Sequence, residues 1–306
     1  MNKSINYIHN EPVSFESKVI QFFMGFLGLK NRTVRNLQKG KFLQKAAMPS
    51  KSIQKNLEVD TRKENGRCIW TIRPKQNVSE KVILYMHGGA YIYNILKFHW
   101  DLLEELVHKT NATIVVPDYP LAPSASCLDV FNYVGKIYTD LLKKVSPQNI
   151  ILMGDSAGGG IALGFAQELS LQHKPQPSQI ILLAPWLDVT MSNPEIVEVN
   201  KKDKMLGIKG LQMAGQAYAK ELALTDFRVS PIYGNFEGLG QISIFIGTHD
   251  SLIGDARKLK GVLDKQDIPM NYFEYPKMFH VWMVVTRMKE ARHVIDQIAL
   301  LVKNEE

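Results

Sequence analysis

Short continuous apolar runs recur along the chain between longer segments in which apolar residues have helical spacing. Such runs are typical of strands buried on both faces of a sheet, and the longer segments are typical of amphipathic helices. Strands are expected at 81–86, 112–116, 149–153, 179–183, 241–247 and 270–275. Helices are expected at about 98–109, 128–144, 157–171, 252–265 and 284–303. This alternation predicts an α/β fold with a mostly parallel, doubly wound sheet.

Three stretches depart from this alternation. Residues 67–72 alternate apolar and polar side chains, which predicts a half-buried antiparallel strand near an edge of the sheet. Residues 1–60 have helical spacing and no strand signal, whereas 189–231 contain one helical stretch, at about 208–223, and no clear strand. We therefore expect an N-terminal helical cap segment, 1–60, and an α/β domain, 61–306. The insertion at 189–231 should complete the cap over the carboxyl edge of the sheet.

The composition is that of a globular protein of 306 residues, and the net charge of +7 comes from scattered lysines. No basic run is interleaved with aromatic residues in a recognisable module, so nucleic acid is not an expected partner. The two cysteines, Cys68 and Cys127, are too few for a disulfide framework and have no metal-ligand spacing. We therefore expect no metal site.

Only the segment 19–29 resembles a targeting or membrane sequence. It is too short to span a bilayer, no basic stretch precedes it, and no small-residue cleavage site follows it. We expect an amphipathic helix that belongs to the fold, and a cytoplasmic protein. The aromatic residues Phe22, Phe23 and Phe26 should bury one face of that helix, most simply over the cleft. Membrane association through these residues is an alternative that we do not expect.

The stretch 149–160 carries the first chemical signal. An apolar strand runs into the motif G-x-S-x-G, with Gly154, Ser156 and Gly158, and a helix follows directly. In that context the serine lies on a sharp turn, its hydroxyl leaves the sheet, and the helix N-terminus points at it. A phosphate-binding loop is the alternative, but the Walker spacing and the G-x-G-x-x-G pattern are both absent.

A nucleophilic Ser156 needs a histidine as base and a carboxylate that orients it. His280 lies in a loop after the last predicted strand, and such loops meet Ser156 at the same edge of the sheet. Asp250 directly follows the strand at 241–247 and is the favoured acid. Asp255, five residues further on, is the competitor, and a residue in the first turn of the next helix is its structural alternative.

An oxyanion that forms during acyl transfer needs backbone N–H donors from two places. The residue after the nucleophile, Ala157, is one candidate. The loop that follows the strand at 81–86 has the sequence His87-Gly88-Gly89-Ala90, and its glycines allow the amides to turn toward a substrate. We therefore assign the oxyanion hole to Gly88, Gly89 and Ala157, and expect His87 to brace the loop.

These motifs together resemble those of the hormone-sensitive-lipase-like (bacterial family IV) esterases. The resemblance rests on MHGGAY at 86–91, PDYPLAP at 117–123 and GDSAGG at 154–159, followed in order by Asp250 and His280. It covers roughly residue 81 to the C-terminus. It implies an α/β-hydrolase fold in which N-terminal helices and the later insertion form the cap.

Two positions depart from the family pattern. The fourth position of the first motif is Ala90 where the family usually has glycine, and Pro120 stands where the family usually has arginine. The first change should keep the amide donors but narrow the pocket, and the second removes whatever contact the arginine makes. Tyr91 and Asp155, which lie within these motifs, are candidate substrate-binding residues.

The sequence thus predicts a serine esterase that hydrolyses short- to medium-chain carboxylic esters through an acyl-enzyme intermediate, without metal or organic cofactor. An amidase such as a formamidase, of the same mechanism, is an alternative enzyme. A peripheral membrane lipase is a second alternative, and a ligand-binding protein on a disabled hydrolase fold is a third. The intact serine, aspartate and histidine positions argue against the last. The partner is a small-molecule ester, and homodimerisation is left open.

Overall fold

A computed structural model describes residues 4–40 and 45–303. The strands are β1 Asn6–Ile8, β2 Glu58–Glu64, β3 Arg67–Arg73, β4 Val82–Met86, β5 Thr113–Pro117, β6 Ile150–Asp155, β7 Gln179–Leu183, β8 Gln241–Gly247 and β9 Met270–Tyr275. The α-helices are α1 Phe15–Phe26, α2 Arg32–Gln38, α3 Lys51–Asn56, α4 Lys97–Thr110, α5 Cys127–Leu142, α6 Ala157–Leu171, α7 Pro194–Asn200, α8 Ile208–Ala219, α9 Ile253–Lys265 and α10 Lys289–Lys303.

The strands form one sheet in the order β1-β9-β8-β7-β6-β4-β5-β3-β2. The first seven strands of this spatial order, the last of which is β5, pair with one another in parallel. The remaining pairs are antiparallel: β3 pairs with β5 on one side and with β2 on the other. Every residue of β4, β6 and β7 is buried, because helices cover both faces of the sheet. The predicted fold class, including the antiparallel strand near one edge, is confirmed.

The expectation that residues 1–60 contain no strand is wrong at both ends. Asn6–Ile8 adds a parallel edge strand beside β9, held by bonds from Tyr272 N to Ile5 O of 2.7 Å and from His9 N to Glu274 O of 2.9 Å. The segment also runs into β2, which begins at Glu58. A three-residue edge strand has too few residues to show alternation, and its pairing partner lies at the other end of the chain.

The last helix begins later than the sequence indicates. The expected start was residue 284, but 282–284 form a single 3₁₀ turn and α10 starts at Lys289. Val281 has φ of 53°, so the chain reverses direction here before the helix can begin. The apolar residues of this turn pack into the core instead of continuing a helical stripe.

The N-terminal helices pack against the insertion at 189–231. Gly210 of α8 lies against Thr33 of α2, so that a Cβ at this glycine would come within 2.9 Å of the threonine side chain. Lys30 donates to both the carbonyl and the side-chain oxygen of Asn200 at the end of α7. Ser17 of α1 donates to the sulfur of Met278, two residues before the candidate base. These contacts join the N-terminal helices to the insertion and, through Met278, to the carboxyl edge of the sheet. That the two segments form a cap stays a prediction.

The orientation of α1 differs from the prediction. The helix buries Ser17 and Met24, whereas Phe22, Phe23 and Phe26 are 63%, 61% and 74% exposed. The expectation that these aromatic residues cover the cleft is therefore wrong. Helical spacing shows that a helix has two faces but does not tell which one turns inward when both contain apolar residues. No helix in the described ranges is long and apolar enough to cross a membrane.

Candidate active site

Ser156 occupies a sharp turn between β6 and α6. Its φ and ψ of 52° and −118° lie in a region that side chains rarely adopt, and the turn is held by a bond from its N–H to Leu183 O of 2.8 Å. Glycine is required beside it, because a Cβ on Gly158 would collide with the carbonyl of Met86, and one on Gly154 with the backbone of Gly158. The predicted strand–turn–helix context of the serine is therefore present.

His280 lies between this serine and an aspartate. Its Nε2 is 2.8 Å from Ser156 Oγ and its Nδ1 is 2.7 Å from Asp250 Oδ2. The other carboxylate oxygen accepts the N–H of Leu252 at 2.9 Å. The three side chains follow β6, β8 and β9, whose carboxyl ends meet at one edge of the sheet. The structure thus brings together the three residues chosen from the sequence.

Only a small part of this group is open to solvent: Ser156 is 7% exposed, His280 4% and Asp250 0%. Burial by itself lowers the pKa of His280, but the carboxylate of Asp250 outweighs it, and the resulting pKa is raised from its ordinary value of 6.5. A raised pKa makes the neutral imidazole a stronger base toward the serine proton.

The competing carboxylate, Asp255, does not contact the histidine. It accepts a hydrogen bond of 3.0 Å from Asn193 Nδ2, and its other oxygen has no hydrogen-bond partner among the described residues. Burial raises the pKa of Asp255 to about 6. It therefore anchors the start of α9 against the insertion, and its geometry gives it no way to orient His280.

The loop after β4 differs in one respect from the prediction. Gly88 donates its N–H to Asp155 Oδ1 at 2.8 Å, so this donor is directed away from a substrate, and its assignment to the oxyanion hole is not supported. The N–H groups of Gly89, Ala90 and Ala157 donate to no other group among the described residues. Gly89 and Ala90 have φ of 125° and 52°, which explains why glycine is favoured at both positions.

Asp155 and Tyr91 are placed where they support this loop and not where they contact a substrate. Asp155 is buried, accepts hydrogen bonds from Tyr85 and from the Gly88 amide, and lies 3.4 Å from His99 Nε2. Burial alone would raise the pKa of Asp155, but His99 and these hydrogen bonds lower it, so the group is a carboxylate. Tyr91 is also buried, stacked between other aromatic rings.

His87 braces the oxyanion loop, as the sequence indicates. Its ring stacks on Tyr119 at 4.3 Å between centroids, and its Nδ1 lies 2.7 Å from the carbonyl of Gly88. Burial lowers the pKa of His87 to about 3, so the ring is neutral. A neutral, fully buried ring that contacts only the loop and its neighbours is not placed to move a proton to or from a substrate.

Asp203, which no sequence motif indicated, lies next to the acid. It is 1% exposed and belongs to the insertion, between α7 and α8. One oxygen accepts from the N–H and the hydroxyl of Ser251 at 2.8 and 2.7 Å, and the other accepts from the N–H groups of Met205 and Leu206 at 2.8 and 3.0 Å. Its charge contributes to the raised pKa of His280.

In the part of the chain that the structure describes, no group of three or more His, Cys, Asp or Glu side chains is arranged to hold a metal ion. Both cysteines are free; Cys127 is buried and Cys68 is partly buried.

A buried serine–histidine–aspartate chain at the carboxyl edge of a parallel sheet, with the serine on a sharp turn between a strand and a helix, defines the class of serine hydrolases built on the α/β-hydrolase fold. A family model described as an alpha/beta hydrolase fold matches residues 83–284, which is more than half of the chain. The chain belongs to this family. The resemblance to the hormone-sensitive-lipase-like esterases noted in the sequence is confirmed.

Individual relatives agree with this assignment. An esterase from Acinetobacter venetianus is 28% identical over 232 residues, which cover 73% of this chain and 75% of that protein. A triacylglycerol lipase from Mycobacterium tuberculosis is 32% identical over 224 residues, which cover 72% of this chain but only 46% of the lipase. The solved structure of an esterase/lipase from an uncultured bacterium matches with a TM-score of 0.84 at 23% identity, covering 95% of this chain and 98% of that one, and shows the shared fold.

Proposed function

We propose that the protein is a serine esterase that hydrolyses short- to medium-chain carboxylic esters through an acyl-enzyme intermediate. The observation that carries the proposal is the continuous hydrogen-bonded chain from Ser156 through His280 to Asp250, with distances of 2.8 and 2.7 Å. The esterases among the relatives of this chain support the same chemistry.

In the proposed reaction, Ser156 Oγ attacks the acyl carbonyl while His280 Nε2 takes the serine proton, and Asp250 stabilises the imidazolium that forms. The N–H groups of Gly89, Ala90 and Ala157 donate to the oxyanion. His280 then gives the proton to the departing alcohol. Water attacks the acyl-enzyme in the second half-reaction, with His280 acting again as the base, and the carboxylic acid leaves.

The proposal for acyl length rests on access to the serine. With Ser156 only 7% exposed and cap helices packed around the carboxyl edge, the approach is narrow. A narrow approach to the serine favours acyl groups of about two to eight carbons, because a longer chain has too little room to bind beside Ser156.

The test is hydrolysis of p-nitrophenyl esters with acyl chains from two to sixteen carbons by the wild type and Ser156→Ala, with p-nitroacetanilide as the amide probe. We expect kcat/KM to be highest between two and eight carbons and to fall by at least about a thousandfold in the variant. Faster turnover of the amide than of the acetate ester would instead support an amidase, and equal activity of the variant would remove Ser156 from the mechanism.

A further inference from the structure

The outward face of α1 is apolar, which is the reverse of an ordinary surface helix. Phe15, Phe22 and Phe26 follow at spacings of seven and four residues, so they share one side of the helix, and Phe23 lies beside them. These side chains are between 61% and 77% exposed. The opposite side, which contacts the protein, buries only Ser17 and Met24. We call the exposed side, formed by Phe15, Phe22, Phe23 and Phe26, the phenylalanine face.

The phenylalanine face is ordered by contacts within itself. The ring of Phe22 packs edge-to-face against Phe26 and Phe23, with centroids 5.0 and 5.7 Å apart. The helix beneath it is fixed by a capping bond from the Ser17 N–H to Ser14 and by the bonds of Ser14 to Glu290. A contiguous apolar surface that is held rigidly in solvent marks a site of interaction.

The charged residues near the phenylalanine face indicate which kind of surface it binds. Residues 17–40, which include most of α1 and all of α2, contain five lysines and arginines and no aspartate or glutamate. Gly25 and Gly28, at the end of α1, line a cavity of about 320 Å³ together with three lysines, Lys30, Lys201 and Lys204, and with the single carboxylate of the buried Asp203. The cations of the insertion thus gather beside the phenylalanine face. An apolar helix side flanked by basic residues is the pattern of a helix that lies in the interface of an anionic membrane.

We propose that the phenylalanine face docks the protein on anionic phospholipid surfaces, with the aromatic rings among the acyl chains and the flanking lysines and arginines at the phosphates. The placement of α1 gives this docking a consequence for the active site. Its inner side contacts Met278 through Ser17 and His249 through Gln21, and these residues directly precede the loops of the base and the acid. A docked molecule therefore holds its catalytic edge near the lipid.

The test is co-sedimentation of the full chain with vesicles of phosphatidylcholine alone and of phosphatidylcholine with 30% phosphatidylglycerol, at low and high salt. We expect binding to the anionic vesicles only, weakened by salt. The double substitution Phe22→Ser/Phe26→Ser should weaken binding at least tenfold. Leu171→Ser, which removes a 66%-exposed side chain at the far end of α6, is the matched control and should bind as the wild type does. Unchanged melting temperatures verify that the variants are folded.

Two results would overturn the proposal. The first is a wild type that binds neither vesicle, or a double variant that binds as well as the wild type. The second is a wild type that is dimeric by analytical ultracentrifugation and ignores vesicles, while the double variant is monomeric. That result would assign the phenylalanine face to an interface between two copies of the chain.

Discussion

The substitution Asp203→Asn tests whether the insertion at 189–231 positions the proposed catalytic acid, Asp250. Asp203 is buried and accepts four hydrogen bonds, two of them from Ser251, the residue after Asp250. Asparagine keeps the shape and one acceptor oxygen but replaces the other with an amide nitrogen and removes the negative charge. The substitution therefore changes both the anchoring of the loop and the electrostatics around His280.

The structure sets the size of each effect. Two buried donors lose their acceptor, at about 1–3 kcal/mol each, while the removal of a buried charge offsets part of that loss. We expect a net destabilisation of about 2 kcal/mol, or a fall in Tm of roughly 3 °C for a chain of this length. A small displacement of Asp250 should lower kcat by roughly ten- to a hundredfold. That loss is far smaller than the roughly ten-thousandfold loss expected when a triad carboxylate itself becomes an amide.

The decisive assay is the pH dependence of kcat/KM on a short p-nitrophenyl ester. Asp203 helps to raise the pKa of His280, so the acidic limb of Asp203→Asn should lie at lower pH than that of the wild type. The control is Asp255→Asn, another buried aspartate of the same region that does not contact the triad. A lowered Tm with an acidic limb that does not move would refute a role in tuning the base and leave Asp203 a structural residue.

Three further outcomes are expected. Asp250→Asn should lower kcat by about four orders of magnitude, whereas Asp255→Asn should keep most activity. The measurement is steady-state kinetics of both variants, and reversed losses would show that Asp255 is the catalytic acid. Gly88→Ala should destabilise the protein and abolish turnover, because its Cβ would collide with the buried carboxylate of Asp155. Ala90→Gly should keep activity and, because it relieves a positive φ, stabilise the fold in thermal unfolding by up to about 1 kcal/mol. In wild type, activity should be lost as the pH falls through the raised pKa of His280, that is, beginning above 6.5; an acidic limb below 6.5 in kcat/KM would show that burial outweighs the carboxylate.

The central part of the sheet was predictable because its strands are encoded locally. The strands at 179–183, 241–247 and 270–275 have the boundaries expected from their apolar runs, since each is almost entirely buried and follows a serine, glycine or proline. The triad was predictable for a related reason. Its residues follow strands whose carboxyl ends meet at one edge, so the order of strands along the chain brings Ser156 and His280 together.

What the sequence did not predict depends on long-range contacts. The bond between Gly88 and Asp155 joins residues 67 positions apart, and it alone reveals that this amide is directed away from the oxyanion hole. Asp203 belongs to no motif, and only the packing of the insertion brings it to Ser251. The three residues of β1 form a strand because β9 offers a free edge, which no local pattern can indicate.

Covalent labelling with diisopropyl fluorophosphate is the most direct measurement of the central claim that Ser156 is a nucleophile activated by His280. Attack by serine Oγ on phosphorus releases fluoride and leaves a stable phosphoryl adduct. We expect one adduct per wild-type chain by intact mass, located on Ser156 by peptide mapping. Ser156→Ala should give none, and His280→Ala should react at least a hundredfold more slowly. Undiminished labelling of Ser156→Ala, or an adduct on another residue of the wild type, would contradict the account.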